Sequence, residues 1–276
     1  MNLQHKNTNG KQRNSTRWAA TAALSIVMSL GASIPVMASP EKGLEIATER
    51  KNRDEGWGDS VSTMEMLLQN AQGESSTRLM QLKSLEVQND GDKGLTIFEE
   101  PRDVKGTAFL NHSHTVEADD QWLYLPALKR VKRISSRNKS GPFMGSEFAY
   151  EDLSSFELEK YTFNYVKDEV ISSEEAFVLE QVPTDRNSGY TKQVVWLSKQ
   201  EYRPLKIEFY DRKGALLKTL TYTDYKQYLD QYWRAHTMSM QNHQTGKSTL
   251  LTTSEMKFQT GLNDSDFQKN TLKRIR

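Results

Sequence analysis

The chain has 276 residues, with 37 basic and 36 acidic side chains and a formal net charge of +1. It has no cysteine, which excludes a disulfide scaffold, a thiolate metal centre and a thiol nucleophile. The balance of charge also argues against nucleic acid as a partner, because that affinity is built from many phosphate contacts.

Residues 1–38 are different in kind from the rest. They hold Lys6, Lys11, Arg13 and Arg17 and no acid, then an apolar stretch from Trp18 to Met37 broken by Gly31 and Pro35. Val36-Met37-Ala38 closes it with small side chains at the spacing a signal peptidase reads. A single membrane anchor is the other reading, but Pro35 and the short apolar core fall short of the roughly 20 residues a spanning helix needs. The pattern predicts a cleaved export signal over 1–38 and one mature domain over 39–276. Without the signal the remaining chain carries 33 basic and 36 acidic side chains.

Ser39 to about Gln72 reads as helical, with Val61, Met64, Leu67, Leu68 and Ala71 on one stripe, Asp59 as a cap and Gly73 as a stop. From Ser75 the period becomes two. Tyr161, Phe163 and Tyr165 alternate with polar residues, as do Leu205, Ile207 and Phe209, and Met238 and Met240 share a face. Turn signals such as Asn89-Asp90-Gly91 and Asp211-Arg212-Lys213-Gly214 separate about ten or eleven such strands. The exception is 135–153, a long connection that is polar at first and apolar at Phe143, Met144 and Phe148.

So many strands predict a mainly β fold, one antiparallel sheet that curls under its own twist, with helices on its concave face. The expected apolar face carries Trp122, Tyr124, Phe163, Tyr165, Phe209, Met238, Met240, Met256 and Phe258. Two readings fit this face: a core packed under helices, or a partly open groove for a lipid-like ligand, which methionine and aromatic side chains suit.

Lys129, Arg130, Lys132, Arg133, Arg137 and Lys139 put six cations in eleven residues. They read either as a docking site for an acidic partner or as a strand edge kept from pairing by charge. His112 and His114, two apart in an expected strand, would share a face, but two histidines without a third ligand are a weak metal signal. Glu99-Glu100 and Glu174-Glu175 would point to opposite faces of a strand and cannot act as joint acid and base. No nucleophile elbow, zinc-binding HExxH or phosphate loop occurs, so no catalytic residue, metal or cofactor is expected.

The segment Asp120-Gln121-Trp122-Leu123-Tyr124-Leu125-Pro126-Ala127-Leu128-Lys129-Arg130-Val131-Lys132-Arg133-Ile134 is distinctive, as is Phe143-Met144-Gly145-Ser146-Glu147-Phe148-Ala149-Tyr150-Glu151-Asp152-Leu153. With Gly56-Trp57-Gly58-Asp59 and Lys105-Gly106-Thr107-Ala108-Phe109-Leu110, the chain over about 43–275 resembles the LolA-like outer-membrane lipoprotein-sorting family, in the branch associated with RND-type exporters. The resemblance implies a half-open antiparallel β-barrel with helices across its mouth and acyl chains held between them. It implies a periplasmic, monomeric, non-enzymatic carrier working with an inner-membrane exporter. Trp122, Tyr124, Phe143, Met144, Phe148, Phe163, Tyr165, Phe209, Met238 and Met240 would hold the ligand, and Lys129, Arg130, Lys132 and Arg133 would meet the partner. The better-known carrier of the family latches its lid through one strand arginine; Arg78 and Arg102 lie in the matching region. A periplasmic sensor or adaptor on the same scaffold is the alternative, and a hydrolase lacks any motif.

Overall fold

A computed structural model describes residues 39–274; the expected export signal lies outside the described residues. One α-helix, α1 (Pro40–Arg53), precedes thirteen strands. These are β1 (Asp59–Gln69), β2 (Ser75–Leu85), β3 (Lys93–Glu100), β4 (Ala108–His112), β5 (Asp120–Leu125), β6 (Arg130–Ile134), β7 (Tyr161–Ile171), β8 (Glu174–Pro183), β9 (Tyr190–Ser198), β10 (Pro204–Asp211), β11 (Leu216–Tyr228), β12 (Tyr232–Asn242) and β13 (Ser248–Phe258).

They form one antiparallel sheet in the order β6-β5-β4-β3-β2-β1-β13-β12-β11-β10-β9-β8-β7. Two meanders therefore run outward from a central pair, β1 with β13, and end at opposite edges, β6 and β7. The sheet is curved and not closed into a barrel, as the family resemblance implies.

Of the helix expected from Ser39 to about Gln72, only α1 is helical; the part from Asp59 to Gln69 is instead β1. Gly56 and Gly58, at φ +96° and +78°, turn the chain after α1 in a conformation that other residues rarely take. Beyond them Ser62, Met64, Met66 and Leu68 alternate with Thr63, Glu65 and Leu67, and β2 and β13 pair with the strand on both sides. The apparent 3.6-residue stripe was an accident of apolar residues on both faces of a central strand. Asp59 does not cap a helix; its carboxylate accepts hydrogen bonds from Thr260 and from the Gly261 N–H and so fastens the end of β13.

Ser39 caps helix α1: its hydroxyl accepts from Lys42 N, and its backbone bridges Tyr165 of β7. It buries Gly43, Ile46 and Ala47 against the concave face. Gly43 permits the contact: a Cβ there would lie 2.8 Å from the backbone nitrogens of Asn164 and Tyr165.

Because β6 and β7 are at opposite edges, residues 135–160 must cross the concave side. Phe143 packs on Phe98, Phe109 and Tyr150, and it and Phe148 are buried in the main core, which continues through Met66, Met80, Leu179, Val195, Phe209 and Met240. Polar bonds hold this crossing segment down. Lys218 Nζ donates to Glu147 O at 2.8 Å and pairs with Asp152 at 2.6 Å, both side chains almost wholly buried. Tyr190 also donates to Asp152, and Asn242 to the Glu147 carboxylate.

A second core covers the convex face. Leu95, Ala108, Leu110, Trp122 and Tyr124 pack there against Phe267 and Leu272 of the C-terminal 3₁₀ turns.

Candidate functional site

The crossing segment fills one end of the trough and leaves the other end hollow. A cavity of about 1420 Å³ remains there, open to solvent. Its floor is made by Met64 of β1, Met238 of β12, Thr253 and Met256 of β13, and Tyr222 and Tyr225 of β11. Its roof is the last turn of α1, Arg50 to Asp54, together with Ser154 to Glu159 of the crossing segment. Trp57 and Trp233 close the sides.

Several charged residues line this space, and most are neutralised. Lys51 Nζ pairs with Glu157 at 2.9 Å, Arg53 with Glu49 at 2.7 Å, Arg203 with Glu174 at 2.8 Å and Arg234 with Asp54 at 2.6 Å. Burial works against the Lys51 charge, but its Glu157 hydrogen bond and the nearby carboxylates more than offset this and hold the ammonium above its usual range. Asp92, at the rim, is pushed up to about 7, chiefly by burial and further by the carboxylates of Glu157 and Glu86. Its backbone N–H donates to Ser155 and its carboxylate accepts from Val87 N, so it joins the β2–β3 turn to the crossing segment.

The sequence-expected ligand residues are distributed unevenly. Met238 lines the cavity. Tyr165, Phe209 and Met240 lie in the concave core beside it, and Phe163 packs against Phe156, a roof residue. Phe143, Phe148 and the partly buried Met144 belong to the plug at the far end. Trp122 and Tyr124 are a correction: in β5 they pair with Leu110 and Ala108 and face the convex side, where the C-terminal turns cover them. Both faces of β5 are buried, so alternation alone could not tell inside from outside.

Arg78 of β2 donates to the Met144 carbonyl and so ties the sheet to the crossing segment, whereas Arg102 is exposed in a turn. Lys129, Arg130, Lys132 and Arg133 are all exposed at the β6 edge. They do not share one face: Lys132 pairs with Leu123 on the concave side, while Arg133 pairs with Trp122 on the convex side and bonds Asp120. The two histidines do not share a strand face either. His112 bonds Phe267 O at 2.7 Å, and His114, beyond the end of β4, bonds Asp90 at 2.9 Å. Among the described residues, no three metal-ligating side chains cluster.

Sequence reasoning missed most of the cavity wall: Arg50, Trp57, Met64, Phe156, Tyr222, Tyr225 and Trp233. Two of them stand out in the sequence for other reasons, Trp57 in the Gly56-Trp57-Gly58 motif and Met64 in the expected helical stripe.

A family model described as "-like: Uncharacterized protein" matches residues 90–274. The crystal structure named as an outer membrane lipoprotein-sorting protein domain from Vibrio parahaemolyticus is 78% identical, with a TM-score of 0.84 over 86% of this chain and 100% of that one. A DUF1329 family protein from Desulfovibrio piger is 27% identical, with a TM-score of 0.80 over 84% of this chain and 98% of that one. A LolA superfamily protein from Nitrosomonas europaea shares the fold at 23% identity, with a TM-score of 0.66 over 83% of this chain and 98% of that one. No curated protein matches the sequence.

Proposed function

Because the chain belongs to the LolA-like outer-membrane lipoprotein-sorting family, we propose that it is a non-enzymatic periplasmic carrier for the acyl part of a lipoprotein or other lipid-like molecule. The observation that carries this reading is the hollow of about 1420 Å³ left between α1, the crossing segment and the sheet. It exceeds the roughly 300–1,000 Å³ of ordinary small-molecule pockets. Its floor carries three methionines beside Tyr222, Tyr225 and Thr253, and two tryptophans flank it; methionine side chains adapt to apolar partners of varied shape.

The physical need is plain. Each methylene leaving water is stabilised by about 0.8 kcal/mol, so a long chain does not cross an aqueous space alone at a useful rate. Sheltering it lowers that barrier and calls for no bond to be made or broken. Residues 1–38 direct export and 39–276 act as one carrier domain. An inner-membrane RND-type exporter supplies the cargo, and the exposed cations of the β6 edge meet an acidic surface on that partner.

Native mass spectrometry on protein purified gently from the periplasm tests the reading. Bound lipid of defined mass is expected, together with accelerated transfer of a labelled lipoprotein between inner- and outer-membrane vesicles at catalytic amounts of protein. Ligand-free protein that takes up no fluorescent fatty acid would overturn it. Uptake without transfer would replace the carrier with a sensor.

A further inference from the structure

Of the cations that line the cavity, Arg50 is set apart. Lys51, Arg53, Arg203 and Arg234 each have a carboxylate within 4.0 Å, whereas among the described residues none lies that close to Arg50. Its guanidinium lies 4.0 Å from the centre of the Phe156 ring, in the roof, and its electrostatic neighbours are Tyr222 first, then the Asp54 carboxylate, which is already paired with Arg234, and the phenols of Tyr161 and Tyr225. Burial pulls this guanidinium below its ordinary value, although it stays charged at neutral pH. The Tyr222 phenol is pushed up to about 12, chiefly by burial, and therefore remains a hydrogen-bond donor. Arg50 is half-buried at the open cavity, and a charge partly withdrawn from water without a carboxylate partner is stabilised when an opposite charge reaches it. The floor below it carries Met64, Met238 and Met256 beside Tyr222, Tyr225 and Thr253. A cation beside phenols and three methionine side chains share one hollow, which is the complement of a molecule with an anionic head and a hydrocarbon body.

We propose that the cavity binds anionic amphiphiles, with a carboxylate or phosphate head on the Arg50 guanidinium and the chain along the methionine floor. This rests on the carrier reading and specifies its ligand class. Neutral chains would enter the same space without the charge-assisted bond, so Arg50 selects for charge rather than for chain length.

The test uses the mature protein with cis-parinaric acid and its methyl ester at pH 8. Wild type is expected to bind the acid about tenfold or more tighter than the ester, the scale of one charged hydrogen bond. Arg50→Gln is expected to lose the preference for the acid over the ester, and an unchanged circular dichroism spectrum reports an intact fold. Arg50→Lys is expected to keep part of that preference. Competition by dodecanoate against dodecyl phosphate, with dodecanol as the neutral reference, distinguishes a carboxylate source from a phosphate source. Equal affinity of wild type for acid and ester overturns this inference and leaves the carrier standing, as does a preference that survives in Arg50→Gln. Failure of wild type to bind either probe overturns both.

Discussion

Gly43 places two opposing effects on one atom. A helical glycine costs about 1 kcal/mol relative to alanine, so Gly43→Ala should on propensity alone stabilise α1. The added methyl, however, would meet the backbone nitrogens of Asn164 and Tyr165 at 2.8 Å. Backbone within a paired strand cannot move aside as a side chain can, so α1 must lift from β7. Overpacking of this kind typically costs about 1–3 kcal/mol, which outweighs the propensity gain. A lower thermal midpoint for Gly43→Ala is therefore expected, and a higher one would mean that α1 is not seated on β7 in solution. The same scale explains what the sequence hid. Gly43 sits in an ordinary helical pattern, and its role depends on a strand more than 100 residues away. Trp122 and Tyr124 illustrate a different blindness: each alternates correctly with its neighbours, but the covering Phe267 and Leu272 come from the far C-terminus. Met238 was legible because its strand faces water on one side, with the exposed Ser239 next to it.

At the scale of elements, the crossing segment 135–160 determines which part of the trough stays open. Its apolar middle was visible in the sequence, but its role as a plug follows from topology, because only the placement of β6 and β7 at opposite edges forces it across the concave face. The strand count was legible to within two or three because turns punctuate the meanders. The one large error, reading β1 as helix, arose in the central strand, where apolar residues occupy both faces and the period blurs. The rim turn that carries Asp92 gives this region a pH dependence. Asp92 titrates at about 7 in the folded protein, against about 3.9 when unfolded. A raised carboxylate value means that the folded state holds the proton more tightly. The destabilisation is then complete above pH 7 and is relieved as pH falls towards 4. Asp92→Asn keeps an acceptor for Val87 N and removes the buried charge. It should stabilise the protein at pH 8 by about 1–2 kcal/mol, less than the full linkage value because the open cavity admits water. It should also flatten the denaturation midpoint between pH 5 and 8. An unaltered pH profile in Asp92→Asn would show that this carboxylate is ionised throughout.

The whole molecule joins its two meanders along the β1–β13 pair and leaves β6 and β7 apart, so curvature is set by the sheet's twist and by what lies in the trough. The crossing segment fills one end with the protein's own side chains; the other end has walls from both meanders, α1 and the rim turns, but no filling side chains. An occupant there would touch elements from the whole length of the chain and stabilise them as one unit. Binding to the folded state alone adds RT ln(1 + [L]/Kd), about 2.7 kcal/mol at a hundredfold excess over Kd. For a domain of this size that corresponds to a rise of about 5–10 °C in the thermal midpoint. Dodecyl phosphate below its micellar concentration should produce such a rise in a single cooperative transition. Met256→Glu places a carboxylate in the floor at a half-exposed position, where it repels the chain and an anionic head alike. Its ligand-free midpoint should stay near that of wild type while the ligand-induced rise disappears. Leu128→Ala, at an exposed residue beside β6 and outside the cavity, should leave the rise unchanged. A rise that persists in Met256→Glu would locate the ligand elsewhere on the sheet.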